Sequence, residues 1–215
     1  MLFLFNRILQ RIFQKTFPAP SPAKSQSTLV LAEHDNGHLS PLTLYAITTA
    51  GQLGGEVRCL VGGTSCRDAA KELVAVPGVS EVLLADHAAY KDFPPRQLAA
   101  AMISAQHEFK FSHIIAHATT FSHPIMYSVA AELEVPVIPN IVLVKNNDTF
   151  LRVDCDNNDN ILLVKSLAPV KMMTVLLAKA TYGIEYSSES TCKNETRKLW
   201  ELLEKGVDMR VYRHF

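Results

Sequence analysis

Three short groups of polar residues in this 215-residue chain have compositions that suggest chemistry. The run Glu33–Asp35 places an imidazole between two carboxylates directly after an apolar stretch, an arrangement suited to general acid–base catalysis. The run Gly62–Ser65 lies between an apolar stretch and a helix-forming stretch, where backbone amides could bind an anion. His113, His117 and His123 could together supply three imidazoles to a zinc ion.

Each group also has a plain structural interpretation. The glycine turn lacks the Gly-x-Gly-x-x-Gly and Walker patterns, so an ordinary turn between a strand and a helix is favoured. The histidines have no carboxylate or thiol at matching spacing, which favours ordinary polar positions at the end of a strand. We therefore predict no catalytic residue and no metal site. Four residues at the carboxyl edge of the expected sheet remain nucleotide-binding candidates: Glu33, Gly62, Gly63 and Thr64.

Strand-like and helix-like segments alternate along the first two thirds of the chain. Apolar runs predict buried strands at Leu29–Ala32, Val57–Val61, Val82–Ala85 and His113–Ala116. Helices are predicted between them and after them, at Ser40–Leu53, Asp68–Ala75, Asp92–His107 and Ser122–Leu133. This alternation predicts an α/β fold with a doubly wound, mostly parallel sheet, similar to adenine-nucleotide α-hydrolase-like domains.

The pattern changes in the last third of the chain. We expect two short strands, a hairpin and one further strand, at Val135–Val137, Ile141–Val144, Phe150–Val153 with Ile161–Lys165, and Lys171–Leu177. The chain turns polar from Tyr186, and the apolar residues of Lys193–Lys205 recur at helical spacing, which predicts an amphipathic helix. The expected organisation is a leader at 1–27, an α/β domain at 28–185, and a linker with a helix at 186–215.

The first 27 residues have the pattern of a mitochondrial transit peptide. Arg7, Arg11 and Lys15 share one face of a predicted helix, opposite several apolar side chains, and no acidic residue precedes Glu33. A run rich in proline and serine then separates this helix from the first strand. We predict import into the mitochondrial matrix; a surface helix that stays attached is the alternative.

Composition excludes several classes of partner. Residues 1–27 hold four of the 21 basic residues and none of the 21 acidic ones, so the rest of the chain is mildly acidic. A mildly acidic body does not favour a nucleic-acid or membrane-surface partner. No apolar run approaches the ~20 residues that a membrane span requires. The four cysteines form no Cys-x-x-Cys pair and are expected to be free thiols.

Four segments of the chain resemble the α subunit of electron transfer flavoprotein. They are Thr28–His34, Leu53–Val61, Val129–Val135 and, more briefly, Asp148–Arg152, and the resemblance extends from about Ser27 to Val175. It implies an electron carrier rather than an enzyme. In that family an N-terminal scaffold domain pairs with a β subunit, and a separate C-terminal domain binds FAD. The α–β heterodimer passes electrons from acyl-CoA dehydrogenases toward the respiratory chain in fatty acid β-oxidation.

The glycine distribution does not fit the flavin-binding part of that family. Between Gly78 and Gly183 the chain has no glycine, so no glycine-rich loop is available to approach a pyrophosphate. We therefore expect that the C-terminal FAD-binding domain is absent and that the isolated chain binds no FAD. The predicted function is scaffold and heterodimerisation. The alternatives are a module that binds AMP or ATP and a remnant that competes for the β subunit.

Overall fold

The computed structural model describes residues 26–90, 95–154, 160–176 and 210–213. The strands are β1 Ser27–Ala32, β2 His34–Asp35, β3 His38–Leu39, β4 Glu56–Gly63, β5 Glu81–Asp86, β6 His113–His117, β7 Val137–Asn146, β8 Thr149–Asp154, β9 Asn160–Lys165, β10 Lys171–Val175 and β11 Arg210–Arg213. The α-helices of these residues are α1 Pro41–Leu53, α2 Arg67–Val74, α3 Pro95–Phe109 and α4 Ser122–Glu132.

The main sheet is parallel over most of its width. Its strand order is β11-β9-β8-β7-β10-β6-β1-β4-β5, and neighbouring strands from β7 to β5 run in the same direction. Helices α1 and α2 pack on one face of this sheet, and α3 and α4 pack on the other. The prediction of a doubly wound, mostly parallel α/β fold is therefore confirmed.

The ends of helix α1 follow from the local sequence. Ser40 is the N-cap, and its side chain accepts a hydrogen bond from the Leu42 amide while Pro41 occupies the first helical position. The helix ends at Leu53 because Gly54 adopts a φ of 76°, in the left-handed region that an L side chain avoids. Upstream, Asn36 and Gly37 both have positive φ and close the β2–β3 hairpin.

The antiparallel part of the sheet departs from expectation. The sequence predicts two separate strands here, at Val135–Val137 and Ile141–Val144. The structure instead has one continuous strand that bends, Val137–Asn146. Ile141 pairs with Val175 level with the end of β6, yet the Asn147 carbonyl accepts a hydrogen bond from His113 at the start of β6. The second half of β7 thus runs back toward the end of the sheet where β6 begins. Asn140, with a φ of 57°, lies at the bend.

The predicted hairpin of β8 and β9 is confirmed, and it continues this bent layer. The two strands pair antiparallel from Thr149–Lys165 to Asp154–Asn160. One face of the hairpin, with Phe150 and Val164, shares a core with helix α1 and the central strands. The hairpin is therefore packed onto the domain rather than extended from it.

Several predictions fall on residues outside the described ranges. These are the transit peptide and its linker, the first residues of the helix expected at Asp92–His107, Cys155 and Cys192, and the amphipathic helix at Lys193–Lys205. Arg210–Arg213 forms a strand that pairs in parallel with β9. Among the helices that the structure describes, none has the length and apolarity to cross a membrane.

Candidate functional site

The carboxyl ends of β1, β4, β5 and β6 form the edge where ligands bind in doubly wound folds. From β1 the chain proceeds outward to β4 on one side, while β6 lies on the other side of β1. The crevice between the ends of β1 and β6 is thus the topological switch point, the usual ligand position in such sheets. The nucleotide-binding candidates predicted from the sequence lie at this edge: Glu33 follows β1, Gly62 and Gly63 end β4, and Thr64 follows it.

Glu33 lies across this crevice and is bonded within the protein. Its carboxylate accepts a hydrogen bond of 2.6 Å from the Thr119 hydroxyl, which follows β6. The Glu33 amide donates to the Thr43 hydroxyl of α1 at 2.9 Å, and its carbonyl accepts from the Ser40 amide at 2.8 Å. Three hydrogen bonds, two from the start of α1 and one from the loop after β6, therefore hold this residue in place, and its carboxylate joins the ends of β1 and β6.

Thr119 is positioned by the first turn of α4. Its hydroxyl accepts a hydrogen bond of 3.0 Å from the Ser122 amide, and its amide donates to the Ser122 hydroxyl at 3.2 Å. The Ser122 hydroxyl also donates to the His117 carbonyl. This reciprocal pair resembles a capping box, which satisfies amides at a helix start. The loop after β6 is therefore held by hydrogen bonds within itself and by one to Glu33.

The glycine turn after β4 already holds an anion supplied by the protein. The Ser65 amide donates a hydrogen bond of 3.0 Å to one carboxylate oxygen of Asp86, at the end of β5. Arg67, the first residue of α2, donates from its Nε to the other oxygen at 3.0 Å. A phosphate bound to the Ser65 amide and the Arg67 side chain would have to displace this carboxylate, because both anions would use these two donors.

Gly62 is packed closely against helix α3. A Cβ atom at this position would lie 2.4 Å from a side-chain carbon of Leu98 on α3, and Leu98 is fully buried. The Gly62 carbonyl accepts a hydrogen bond of 3.3 Å from His34 Nε2. Gly63 is buried at the end of β4, whereas Thr64 is exposed. The structure thus brings Glu33, His34 and the glycine turn to one edge and gives most of them structural contacts.

The three histidines do not meet. His113 Nε2 donates to the Asn147 carbonyl at 2.8 Å, and the Ser112 hydroxyl lies 2.9 Å from its Nδ1. His117 packs against Tyr45, with ring centroids 5.8 Å apart, whereas His123 packs against Tyr127 on α4, on the other face of the sheet. Within the described ranges, no three His, Cys, Asp or Glu side chains form a group that could hold a metal ion.

Burial controls the ionisation of the groups near this edge. It lowers the pKa of His117 to about 4, against a smaller opposing effect of the Leu176 backbone. It raises the pKa of Glu33, although the hydrogen bond from Thr119 partly opposes the rise. It also lowers the pKa of His34, a change that the Gly62 carbonyl opposes. Desolvation disfavours each charged form, so burial favours the neutral form of these three side chains.

The two described cysteines are buried thiols with no sign of activation. Burial raises the pKa of Cys59 to about 12, and this residue belongs to the core beneath α1. Burial is also the largest cause that raises the pKa of Cys66, which precedes α2, and the Asp86 carboxylate adds to it. A nucleophilic cysteine needs a lowered pKa, so neither thiol is suited to covalent catalysis.

The glycine turn at this edge lacks two features that a dinucleotide site uses. A dinucleotide needs free backbone amides at a helix start and glycines that allow close approach. Here the Ser65 amide is bonded to Asp86, and Gly62 already faces Leu98. The sequence patterns did not identify Asp86 as a residue of this edge. Its position at the end of a strand, beside a glycine turn, is a pattern that could have identified it.

Comparisons with known proteins agree with the resemblance seen in the sequence. A family model for the electron transfer flavoprotein domain matches residues 28–181. The "probable electron transfer flavoprotein subunit alpha, mitochondrial" of Caenorhabditis elegans is 38% identical over 152 residues, 71% of this chain and 46% of the worm protein. The "electron transfer flavoprotein subunit alpha" of Pseudomonas aeruginosa is 40% identical over 147 residues, 68% of this chain and 47% of the bacterial protein.

A fungal relative extends the same pattern. The "probable electron transfer flavoprotein subunit alpha, mitochondrial" of Schizosaccharomyces pombe is 30% identical over 150 residues, 69% of this chain and 44% of that protein. The chain thus spans about half the length of the relatives it matches. The residues that the family model matches include the described sheet strands other than β11, the four α-helices and the candidate edge.

Proposed function

The chain belongs to the electron transfer flavoprotein domain family, and from that premise we propose that it is a scaffold subunit that pairs with a β-type subunit. It would act as part of an electron-carrier assembly rather than as an enzyme. The relatives named as α subunits of mitochondrial electron transfer flavoproteins support this proposal, as does the shared α/β domain.

The single observation that carries the proposal is the occupied carboxyl edge. Glu33 is bonded to Thr119 across the switch point, and Asp86 accepts hydrogen bonds from the Ser65 amide and the Arg67 side chain. A domain that uses these groups of its ligand edge for internal contacts is suited to structural pairing. We infer that this domain holds no flavin itself, and that acyl-CoA dehydrogenases contact the chain only indirectly, through the assembly.

We also propose that the chain functions in the mitochondrial matrix. Two of the three relatives described above carry the word mitochondrial in their names. The basic, acid-free pattern of residues 1–27 supports the same location. Imaging of a C-terminally tagged chain and protease protection of isolated mitochondria would test it. Matrix location predicts protection until both membranes are opened, whereas a cytosolic chain would be digested at once.

Co-expression tests the scaffold proposal directly. The full chain would be produced together with a cognate β subunit, purified through a tag on the β subunit, and examined by visible absorption. We expect a stable complex without flavin absorption. The matched control is the worm α subunit with its own β subunit, prepared in the same way. The assay is sound only if that control complex is coloured by flavin.

The outcomes separate the parts of the proposal. A stable complex with flavin absorption would contradict the inference that the domain holds no flavin. The absence of any complex would contradict the pairing itself. If the chain displaces the full α subunit from a preformed heterodimer, it acts as a competitor, one of the alternatives considered for the sequence.

Nucleotide binding at the same edge remains a prediction that calorimetry can test. Because Asp86 accepts from the Ser65 amide and Glu33 accepts from the Thr119 hydroxyl, we expect no heat of binding when AMP or ATP is added to the purified chain. Binding that disappears in a Thr64→Ala or Gly63→Val variant would favour the nucleotide module over the scaffold. A folded-state check by circular dichroism would accompany both variants.

A further inference from the structure

The hairpin between β1 and α1, here called the strap, lies at the carboxyl edge of the sheet. It consists of β2 and β3, residues His34–Leu39, and forms a two-stranded sheet that is separate from the nine-stranded one. Its base is closed by the Ser40 amide, which donates a hydrogen bond of 2.8 Å to the Glu33 carbonyl. The strap is therefore fixed at its base, and its position depends on contacts with other elements.

The strap lies along the glycine turn that follows β4. His34 Nε2 donates a hydrogen bond of 3.3 Å to the Gly62 carbonyl at one end of this turn. At the tip of the strap, Gly37 is buried, and a Cβ atom on it would lie 3.1 Å from the Ser65 carbonyl oxygen. The strap thus contacts the backbone of the turn near both of its ends.

The base of the glycine turn is buried beside these contacts, whereas its tip is open. Gly62 and Cys66 are buried, and Cys66 is 0% exposed, but Thr64 and Ser65 between them are exposed. Leu39 is the one apolar residue of the strap, and it packs half-buried against the core cluster that includes Cys66. The strap therefore covers the side of the turn that faces the core.

Glu72 of α2 binds the strap from the solvent side. Its carboxylate accepts a hydrogen bond of 3.0 Å from the Leu39 amide through one oxygen and one of 3.1 Å from His38 Nδ1 through the other. The side chains of His38 and Glu72 are 80% and 44% exposed. Exposed polar contacts add little net stability, and an isolated two-stranded hairpin is marginally stable. A segment held in this way opens at a lower free-energy cost than the sheet does.

We propose that the strap is a cover that controls access to the base of the glycine turn, and that Glu72 is the latch that keeps it closed. When the contacts of Glu72 break, the strap turns about its base at Glu33 and Ser40 and exposes Cys66 to solvent. The main sheet stays intact during this movement, because the two sheets are separate.

This inference goes beyond the proposed pairing with a β subunit. It concerns a local opening of the chain at one edge of its own sheet. The two ideas fail separately, because the strap is tested on the full chain alone, without any partner present.

Cysteine labelling of the native full chain tests the latch. Iodoacetamide labelling followed by peptide mass spectrometry measures each cysteine separately. Cys66 reports opening of the strap, and Cys59, fully buried in the core beneath α1, reports global unfolding. Glu72→Ala should raise the labelling rate of Cys66 about tenfold and leave that of Cys59 unchanged. The matched control is Lys71→Ala, at a 78% exposed site on the same helix whose ion pair is with Asp68 of α2, and it should change neither rate.

A second variant opens the strap from its tip. Gly37 has a φ of 85°, so an alanine there would be strained and would also meet the Ser65 carbonyl. Gly37→Ala should therefore raise the Cys66 rate as well. The matched control is Gly78→Ala in the turn between α2 and β5, where φ is 91° and nothing lies within 4 Å of the added Cβ atom. It should not raise the Cys66 rate.

Two results would overturn the proposal. The first is an unchanged Cys66 rate in either Glu72→Ala or Gly37→Ala, because each variant removes a contact that keeps the strap closed. The second is a rise in the Cys66 rate that is matched by an equal rise in the Cys59 rate. That result would mean that the variants unfold the whole domain rather than open the strap.

Discussion

At the scale of single residues, two titratable groups lie at the carboxyl ends of β6 and β1: the buried His117 and the half-buried Glu33. His117 is 5% exposed and packs against Tyr45, while Glu33 is bonded to Thr119. Burial lowers the pKa of His117 and raises that of Glu33. In both groups the folded protein favours the neutral form, but their effects on protein stability change with pH in opposite directions. On acidification, the contribution of His117 to the free energy of unfolding decreases, whereas that of Glu33 increases.

Replacing His117 by phenylalanine should make the free energy of unfolding depend less on pH between pH 7 and pH 5. The folded-state pKa of His117 is about 4, below the ordinary value of 6.5. Its contribution is therefore fully present above pH 6.5 and is lost as the pH falls toward 4. Urea unfolding at pH 7 and pH 5 should show that the wild-type chain loses about 2 kcal/mol more than His117→Phe over this interval.

The control for this experiment is His107→Gln, at an exposed position on α3. It should retain the wild-type loss between pH 7 and pH 5. An unchanged loss in His117→Phe would mean that His117 is not the group responsible. Measuring at pH 5 rather than pH 4 limits interference from Asp68, Glu72 and Asp148, whose pKa values are lowered by their hydrogen bonds.

Glu33→Gln should stabilise the folded chain at neutral pH. It should also reduce the increase in stability that the wild-type residue gives when the pH falls to 5. The folded-state pKa of Glu33 is raised above 4.5, so its favourable contribution is full below pH 4.5 and is lost as the pH rises through the folded value. Glutamine keeps an oxygen that can accept the Thr119 hydrogen bond. Thermal unfolding at pH 7 and pH 5 measures the difference, with the exposed Glu132→Gln as the control. A Glu33→Gln variant that is less stable than wild type at pH 7 would contradict the prediction.

At the scale of elements, the turn that joins α1 to β4 depends on glycine. Gly54 and Gly55 both have positive φ, and Gly55 also lies against the chain before β1. A Cβ atom on Gly55 would lie 2.1 Å from the Gln26 carbonyl oxygen. Backbone atoms cannot move aside as a flexible side chain can, so this contact fixes how β1 and β4 begin side by side.

Gly55→Ala should be clearly more destabilising than Gly78→Ala. Gly78 has a φ of 91° but nothing within 4 Å of its would-be Cβ, so alanine there should cost only about 1–2 kcal/mol of conformational strain. Gly55 has a similar φ and the added overlap with Gln26, which should bring the cost to about 3 kcal/mol or more. Chemical denaturation of both variants measures the difference. Equal losses would show that the Gln26 contact is relieved at no cost.

At the scale of the whole molecule, one core joins the parallel sheet to the antiparallel layer. The cluster beneath α1 includes β1, β4, β6 and β10 residues together with Phe150 and Val164 of the hairpin. The bend in β7 makes this possible, because it turns the hairpin back over the face that α1 covers. The layer and the sheet therefore depend on each other for burial.

Unfolding should accordingly be a single cooperative transition for both parts. Hydrogen exchange in β8 and in β6 should respond to denaturant with the same midpoint. Phe150→Ala removes a fully buried ring and should cost about 3–5 kcal/mol, lowering protection in both strands together. Leu167→Ala, at a 78% exposed site, is the control and should change neither. Loss of protection in β8 alone would show that the hairpin is an independent unit.

The sequence by itself was sufficient for the parts of this fold that depend on local pattern. Apolar runs identified the parallel strands, Ser40 and Pro41 identified the start of α1, and the glycines after Leu53 identified its end. These features depend on hydrophobic period, capping and backbone freedom, which lie within a few residues of each other. The family was also recognisable from four short segments in order.

Only the tertiary structure decided what the polar residues at the sheet edge do. Glu33 meets Thr119, Ser65 meets Asp86 and Gly62 meets Leu98 across 86, 21 and 36 positions of sequence. The bend in β7 was likewise not predicted from the sequence, because it appears only in the pairing shifts of β7 with its neighbours and in the hydrogen bond from His113 to the Asn147 carbonyl. Such contacts arise when strands that are distant in sequence become neighbours, so no local spacing encodes them.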